Sequence, residues 1–177
     1  QFAGWGQDPQ TVAAGNPVRA LRIPGCGGYS LAQLNELEAI AKTAGAKGLA
    51  SITVESKGSD GQPPQVKSRI AKFFTPEQLT NLITRLQAEP GDLLLFAADK
   101  NAVVCAALDA LRREFANRLN LADPKKVAFC WVIDFPLFEW NTDEKRWDPS
   151  HHLFTSPMAE DIPLLDTEPG KARGQQY

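Results

Sequence analysis

Asp92-Leu93-Leu94-Leu95-Phe96-Ala97-Ala98 is the stretch on which the fold turns. Its large apolar residues follow one another without alternation, so neither side of an extended chain would face water, and the run is too short for a helix. It predicts a central strand buried on both faces. Such a strand needs other strands at its edges and apolar layers above and below it, and the flanking sequence supplies candidates for both.

Downstream, Asp99 is placed to cap a helix in which Val104, Leu108, Leu111, Phe115 and Leu119 recur at helical spacing until Asp123-Pro124 stops the pattern. Upstream, Pro90-Gly91 ends a helix opened by Thr75, Pro76 and Gln78, a capping box with proline at the first helical position. Its apolar stripe is Leu79, Leu82, Ile83 and Leu86. Further back, Gly48–Val54 reads as a strand with Ala50, Ile52 and Val54 on one side, and residues 57–66 as a polar hairpin or loop after it. A second capping box, Ser30 with Gln33, precedes Leu31, Leu34, Leu37 and Ile40, and Gly45 closes that helix. Val18–Ile23 is one more strand, reached from a Phe2–Trp5 edge through a loop at 6–17. Alternating strands and helices over residues 1–123 predict an α+β domain of the ferredoxin-like sandwich type.

The texture changes at Pro124, where a second domain, residues 124–177, is expected. Val127–Phe135 reads as a long β segment. Leu137–Trp140 and Lys145–Trp147 flank Asn141-Thr142-Asp143-Glu144 as a hairpin, and prolines at 149, 157, 163 and 169 keep the remainder loop-like. Trp131, Trp140, Trp147, Phe135 and Phe138 are expected to form a core cluster.

Composition narrows the function. With 43% hydrophobic and 23% charged residues the chain can build a core and is not of the disordered class. Residues 1–123 carry 13 Lys/Arg against 12 Asp/Glu, and residues 124–177 carry 6 against 9. Neither part has the basic surplus that grips a phosphate backbone by charge alone, so any nucleic-acid contact here is local. Cys26, Cys105 and Cys130 are distant and odd in number, which predicts unpaired thiols in a reducing compartment, and no Cys/His spacing suits a metal. No apolar run approaches the roughly 20 residues of a membrane span. The chain opens without methionine and ends without a closing element, so a fragment is expected.

Among single features, Gly25-Cys26-Gly27-Gly28 precedes a helix but lacks the Lys-Ser/Thr of a phosphate loop and any nearby base for a nucleophile; a turn is the better reading. Lys67, Arg69 and Lys72 could touch an RNA backbone, although such spacing more often marks a solvated face. Asp134 is read as a structural acceptor at a strand end. His151 and His152 are the only histidines, and imidazole can donate to a substrate carboxylate near neutral pH. On a regular strand only one of two neighbours could face a pocket.

Trp131-Val132-Ile133-Asp134-Phe135-Pro136-Leu137-Phe138-Glu139-Trp140, then Arg146-Trp147, then His151-His152-Leu153-Phe154-Thr155-Ser156-Pro157, resembles a signature block of bacterial-type aspartyl-tRNA synthetases. Gly45-Ala46-Lys47-Gly48-Leu49-Ala50, Ala71-Lys72-Phe73-Phe74, Pro90-Gly91-Asp92 and Ala97-Ala98-Asp99 resemble the GAD-type insertion domain that these enzymes share with a subunit of the tRNA-dependent amidotransferase. The resemblance implies an insertion domain over 1–123 followed by part of an antiparallel class II catalytic sheet over 124–177. It implies a cytoplasmic, homodimeric ligase that activates L-aspartate with ATP and magnesium and esterifies it to the 3′ end of tRNA. The arginine-bearing motifs that clamp ATP are not in this piece, which is therefore expected to bind neither ATP nor magnesium alone, to hold no catalytic residue and to be inactive in isolation. His151 is implied as an aspartate-pocket residue, with His152 behind it. The family pattern usually has proline where Leu153 stands, a departure that bears on the stiffness of this loop. Two other readings stand beside this one. Residues 1–123 could be a stand-alone RNA- or protein-docking module, or the amidotransferase form of the domain, against which the tryptophan-rich block argues.

Overall fold

The structure, a computed structural model, describes residues 17–58 and 62–175. The expected Phe2–Trp5 edge and all but the last residue of the loop after it lie outside those residues. The chain divides between Asp123 and Pro124 into two compact units, each described here by itself.

The first unit runs β1 (Val18–Ile23), α1 (Leu31–Thr43), β2 (Ala50–Ser56), β3 (Gln65–Lys67), a 3-10 turn (Ala71–Phe73), α2 (Pro76–Arg85), β4 (Leu93–Ala98) and α3 (Asn101–Arg118). The strands form an antiparallel sheet in the order β1-β4-β2-β3, which places the Leu93–Ala98 run at the centre as expected. Leu93, Leu94 and Leu95 are fully buried, and successive residues feed opposite faces. Leu93 and Leu95 pack with Ile23, Leu37, Ala41, Ala107, Leu111 and Phe115, so α1 and α3 lie on one face. Leu94 and Phe96 pack with Ile52, Val54, Leu79 and Ile83, so α2 lies on the other.

The unit is thus α+β with an antiparallel sheet, and the βαββαβ succession along the chain up to β4 is ferredoxin-like, but the strand order is not and the expected sandwich is corrected. Helices cover both faces because β2 and β4 are apolar on the α2 side as well, and a single helical layer would leave that side wet.

Local signals act where the sequence puts them. Ser30 and Thr75 cap α1 and α2, each accepting from the backbone of the glutamine three residues on while that glutamine's side chain accepts from the cap. Gly45 takes φ +94° after α1, a conformation costly for other residues. Two expectations fail at α3. Its N-cap is Lys100, so Asp99 stands one residue too early; Asp99 Oδ1 instead accepts from the Lys100 amide at 2.8 Å. The helix also ends at Arg118, well before Asp123-Pro124. Of the two readings of residues 57–66 the hairpin is the one that forms, since Gln65 and Val66 already pair antiparallel with β2.

Asp92 ties the end of the sheet together. Its buried carboxylate accepts from Arg22 Nε at 2.6 Å, from the Glu89 amide at 2.8 Å and from the Gly25 amide at 3.1 Å. Burial pushes its pKa up, but these backbone and guanidinium donors outweigh it and hold the carboxyl below its ordinary value. Gly27 then passes so close to Gly91 that its amide donates to the Gly91 carbonyl at 2.7 Å.

The second unit is built on the hairpin β5 (Phe138–Asn141) and β6 (Arg146–Pro149). Asn141 makes the turn: its Oδ1 accepts from the Asp143 and Glu144 amides, and its Nδ2 donates to Asp148. After β6 the chain is irregular, with single turns at Ala159–Asp161, α4 (Leu164–Thr167) and Pro169–Lys171. The long β segment expected over Val127–Phe135 does not form. Phe129 is 94% and Trp131 92% exposed, with Val127, Val132 and Ile133 also outside. A segment apolar on both sides becomes a strand only when neighbours take its backbone groups and both faces, and residues 124–175 provide neither. The expected aromatic core is corrected for the same reason. Trp140 and Trp147 stack edge-to-face across the hairpin with ring centres 5.2 Å apart, yet both remain exposed, and Trp131 joins no cluster.

Candidate functional site

Two places hold chemistry, one in each unit. In the second, the Ser150 amide donates to the Leu137 carbonyl, and the chain then leaves the hairpin. His151 and His152 therefore sit in a turn and not on a strand, so strand alternation does not decide between them. Their local contacts differ. His152 is used locally: its carbonyl accepts from the Thr155 amide at 2.9 Å, its Nδ1 from the Phe154 amide at 3.4 Å, and its ring lies on Phe154. His151 meets Phe135 edge-on, with ring centres 6.0 Å apart, and among the described residues no hydrogen bond takes either of its ring nitrogens.

Phe135 is in turn held through its backbone by the strand-like stretch that contains Arg173. Gly174 donates to the Phe135 carbonyl, and Leu137 to the Ala172 carbonyl, both at 2.8 Å. The Arg173 guanidinium grips both oxygens of Asp161 at 2.7 and 3.0 Å and also reaches Asp134 at 3.1 Å and Glu160 at 3.0 Å. Its side-chain and backbone donors hold the Asp161 carboxyl below the usual range, and the carboxylates raise the Arg173 pKa. Asp134 is thus the structural acceptor expected, although at a left-handed residue (φ +55°) in an irregular segment and not at a strand end. Sequence reading missed the Arg173 clamp, because a lone arginine separated from its carboxylates by loop carries no periodic signal.

In the first unit the Gly25–Gly28 stretch is a turn that buries Cys26, with no base beside the thiol. Lys67 and Arg69, with Ser68, form one wall of a cleft of about 460 Å³, while Lys72 lies elsewhere, over the Phe73 ring. The opposite wall is α1, through Leu31, Leu34 and Glu38, and the floor includes Ser51 and Thr53. Sequence reading did not find this cleft; the basic pair was visible, but the space between the elements was not. Among the described residues no three His, Cys, Asp or Glu side chains converge as a metal site, and no helix is long and apolar enough to cross a membrane.

A helix-flanked antiparallel sheet carrying a cleft, and a hairpin unit that presents an unengaged imidazole, define an α+β protein built of two units. The model of the GAD domain matches residues 9–108, more than half of the chain, and the chain belongs to that family. It is 49% identical, over 94% of its length, to the aspartate–tRNA(Asp/Asn) ligase of Heliobacterium modesticaldum, of which it covers 26%. It is 48% identical over 95% of its length to the enzyme of that name from Moorella thermoacetica, covering 27% of it. Against the one from Geotalea uraniireducens it is 42% identical over 99% of its length, covering 28%. The chain spans about a quarter of the length of these curated relatives.

Proposed function

We propose that the chain is a segment of an aspartate–tRNA ligase, with residues 1–123 as its insertion domain and 124–177 as part of a class II catalytic domain. The observation that carries this reading is the match of nearly the whole chain, across both units, to proteins bearing that name. The longer enzyme would be a cytoplasmic homodimer that activates L-aspartate with ATP and magnesium and transfers it to the 3′ end of tRNA.

On this reading Val127–Phe135 is a strand of the catalytic sheet whose neighbours lie in the rest of the protein. That accounts for an apolar segment left in solvent here. His151 lines the aspartate pocket. With its ring nitrogens unengaged, it can donate to a substrate carboxylate, most strongly as the imidazolium. His152 supports the turn behind it. The two arginines of the second unit are each held by carboxylates, Arg146 by Glu144 and Asp148, and Arg173 by its three partners. Neither is available to the phosphates of ATP, so we assign ATP and magnesium to parts of the longer protein.

Aspartate-dependent ATP–pyrophosphate exchange tests the reading. The chain alone should give none. In the full-length protein that contains it, His151→Ala should raise KM for aspartate about tenfold or more, equivalent to ~1.4 kcal/mol, with KM for ATP little changed. Exchange by the isolated chain, or an aspartate KM unmoved by His151→Ala, would overturn it.

A further inference from the structure

We infer that the cleft between α1 and β3 binds a small organic anion, one carboxylate- or phosphate-type group carried on an apolar body. The cleft exists because α1 and α3 both pack on the β1/β4 side of their face. The core there draws on Ile23, Leu93 and Leu95 but on neither Ser51 nor Thr53. The β2/β3 side of that face is left without a helix, and β3 forms its far rim.

Two hydroxyls brace the space. Ser68 Oγ donates to the Ser51 carbonyl at 2.6 Å and accepts from the Ile70 amide at 3.1 Å, while Thr53 Oγ1 donates to the Gly27 carbonyl at 3.3 Å. The walls are therefore tied to backbone on both sides, and the volume of about 460 Å³ falls in the range of small-molecule sites.

Charge gives the ligand its sign. Lys67 and Arg69 line the cleft, and among the described residues neither has an ion pair. Glu38, the one carboxylate on the wall, is taken by Lys42 at 2.8 Å. Two cations without an ion pair among the described residues thus face the apolar side of α1, Leu31 and Leu34. Leu31 is 55% exposed although it stands on the helix face that points into the cleft.

A polyanion is the poorer fit. The unit has nearly balanced charge, and Lys72, which would extend a basic track, lies over Phe73 instead. One anionic head against Lys67 and Arg69, with an apolar body against α1, uses every part of the cleft. The inference does not depend on the ligase reading, because it rests on the first unit alone.

The test is amide-resolved NMR of the full chain titrated with 2-naphthoate, with its neutral analogue 2-naphthalenemethanol, and with inorganic phosphate. Saturable shifts from naphthoate at Leu34, Ser51, Thr53 and Ser68 are expected. Binding should be about tenfold weaker for the neutral analogue, and weakened by a similar factor for naphthoate in Lys67→Met/Arg69→Met. Phosphate should perturb only the Lys67–Arg69 rim. Both substitutions are at exposed positions, and an unchanged spectrum outside the cleft shows that the fold survives. The inference is overturned if naphthoate shifts only residues 127–133, or if neutral and anionic probes bind alike. Concentration-dependent broadening of the cleft amides without probe would also overturn it, since that would make a second copy of the chain the occupant.

Discussion

Replacing Asp92 with alanine should do more damage than its place in a turn suggests, and the cost can be worked from its partners. The side chain is 4% exposed and satisfies three donors, the Arg22 guanidinium and the amides of Gly25 and Glu89. Each bond from a backbone amide to the carboxylate is worth at least about 1 kcal/mol, and the ion-paired guanidinium bond about 1.5–3. Arg22 is partly exposed and can turn toward water, so the lower figure applies to it. The total is roughly 3–4 kcal/mol, a large part of the 5–15 kcal/mol typical of a domain. Urea unfolding followed by far-UV circular dichroism reads this unit, because every helix longer than one turn lies in it. With an m-value near 1.5 kcal/mol/M, the midpoint should fall by about 2 M. Arg22→Met should cost only about 1–2 kcal/mol, since Asp92 keeps two amide donors, and the two changes together should cost less than their sum. The pH dependence has a definite sign. Asp92 is held below its ordinary 3.8, so its contribution is present above about pH 4 and is lost as the pH falls through the lower folded value. The stability gap between the parent and Asp92→Ala should therefore narrow in acid. A loss below about 1 kcal/mol, or a gap that widens in acid, would refute the assignment of Asp92 as the tie of this sheet end.

Two further outcomes follow from close approach and from the Arg173 clamp. A Cβ on Gly27 would stand 2.7 Å from the Gly91 carbonyl oxygen and 2.9 Å from Thr53 Cγ2, so Gly27→Ala should destabilise by about 1–3 kcal/mol in the same urea assay, whereas Gly28→Ala, with open space around it, should cost far less. Arg173→Met should release Asp134 and loosen the stretch that backs Phe135; in NMR of the chain, the His151 ring resonances should shift and their contacts to Phe135 weaken, while the amides of the first unit stay in place.

Residues 17–123 and the hairpin were largely legible because their signals are local. A capping box acts over three residues, a positive-φ glycine on itself, and an Asn turn on the amides two and three residues on, so Ser30, Thr75, Gly45 and Asn141 do in the fold what their sequence context predicts. Lys100 taking the cap in place of Asp99 marks the limit of such reading, a one-residue choice settled by how β4 hands over to α3. The histidine pair was visible as a pair, but the different surroundings of its two rings were not. They depend on a turn that engages His152 and on a phenylalanine beside His151 whose carbonyl accepts from the distant Gly174 amide.

What the chain settles alone is therefore the type and order of its elements and the centrality of Leu93–Ala98, because these follow from backbone preference and the spacing of apolar side chains. Tertiary structure decided which face of the sheet each helix covers, that Asp92 and Arg173 become hubs, and that a cleft opens beside β3. It also decided that Val127–Phe135, for all its strand-forming composition, does not form a strand. The physical reason is common to all four: each depends on groups far apart in sequence, and a strand or a buried charge is stable only when its partners are present to take its hydrogen bonds.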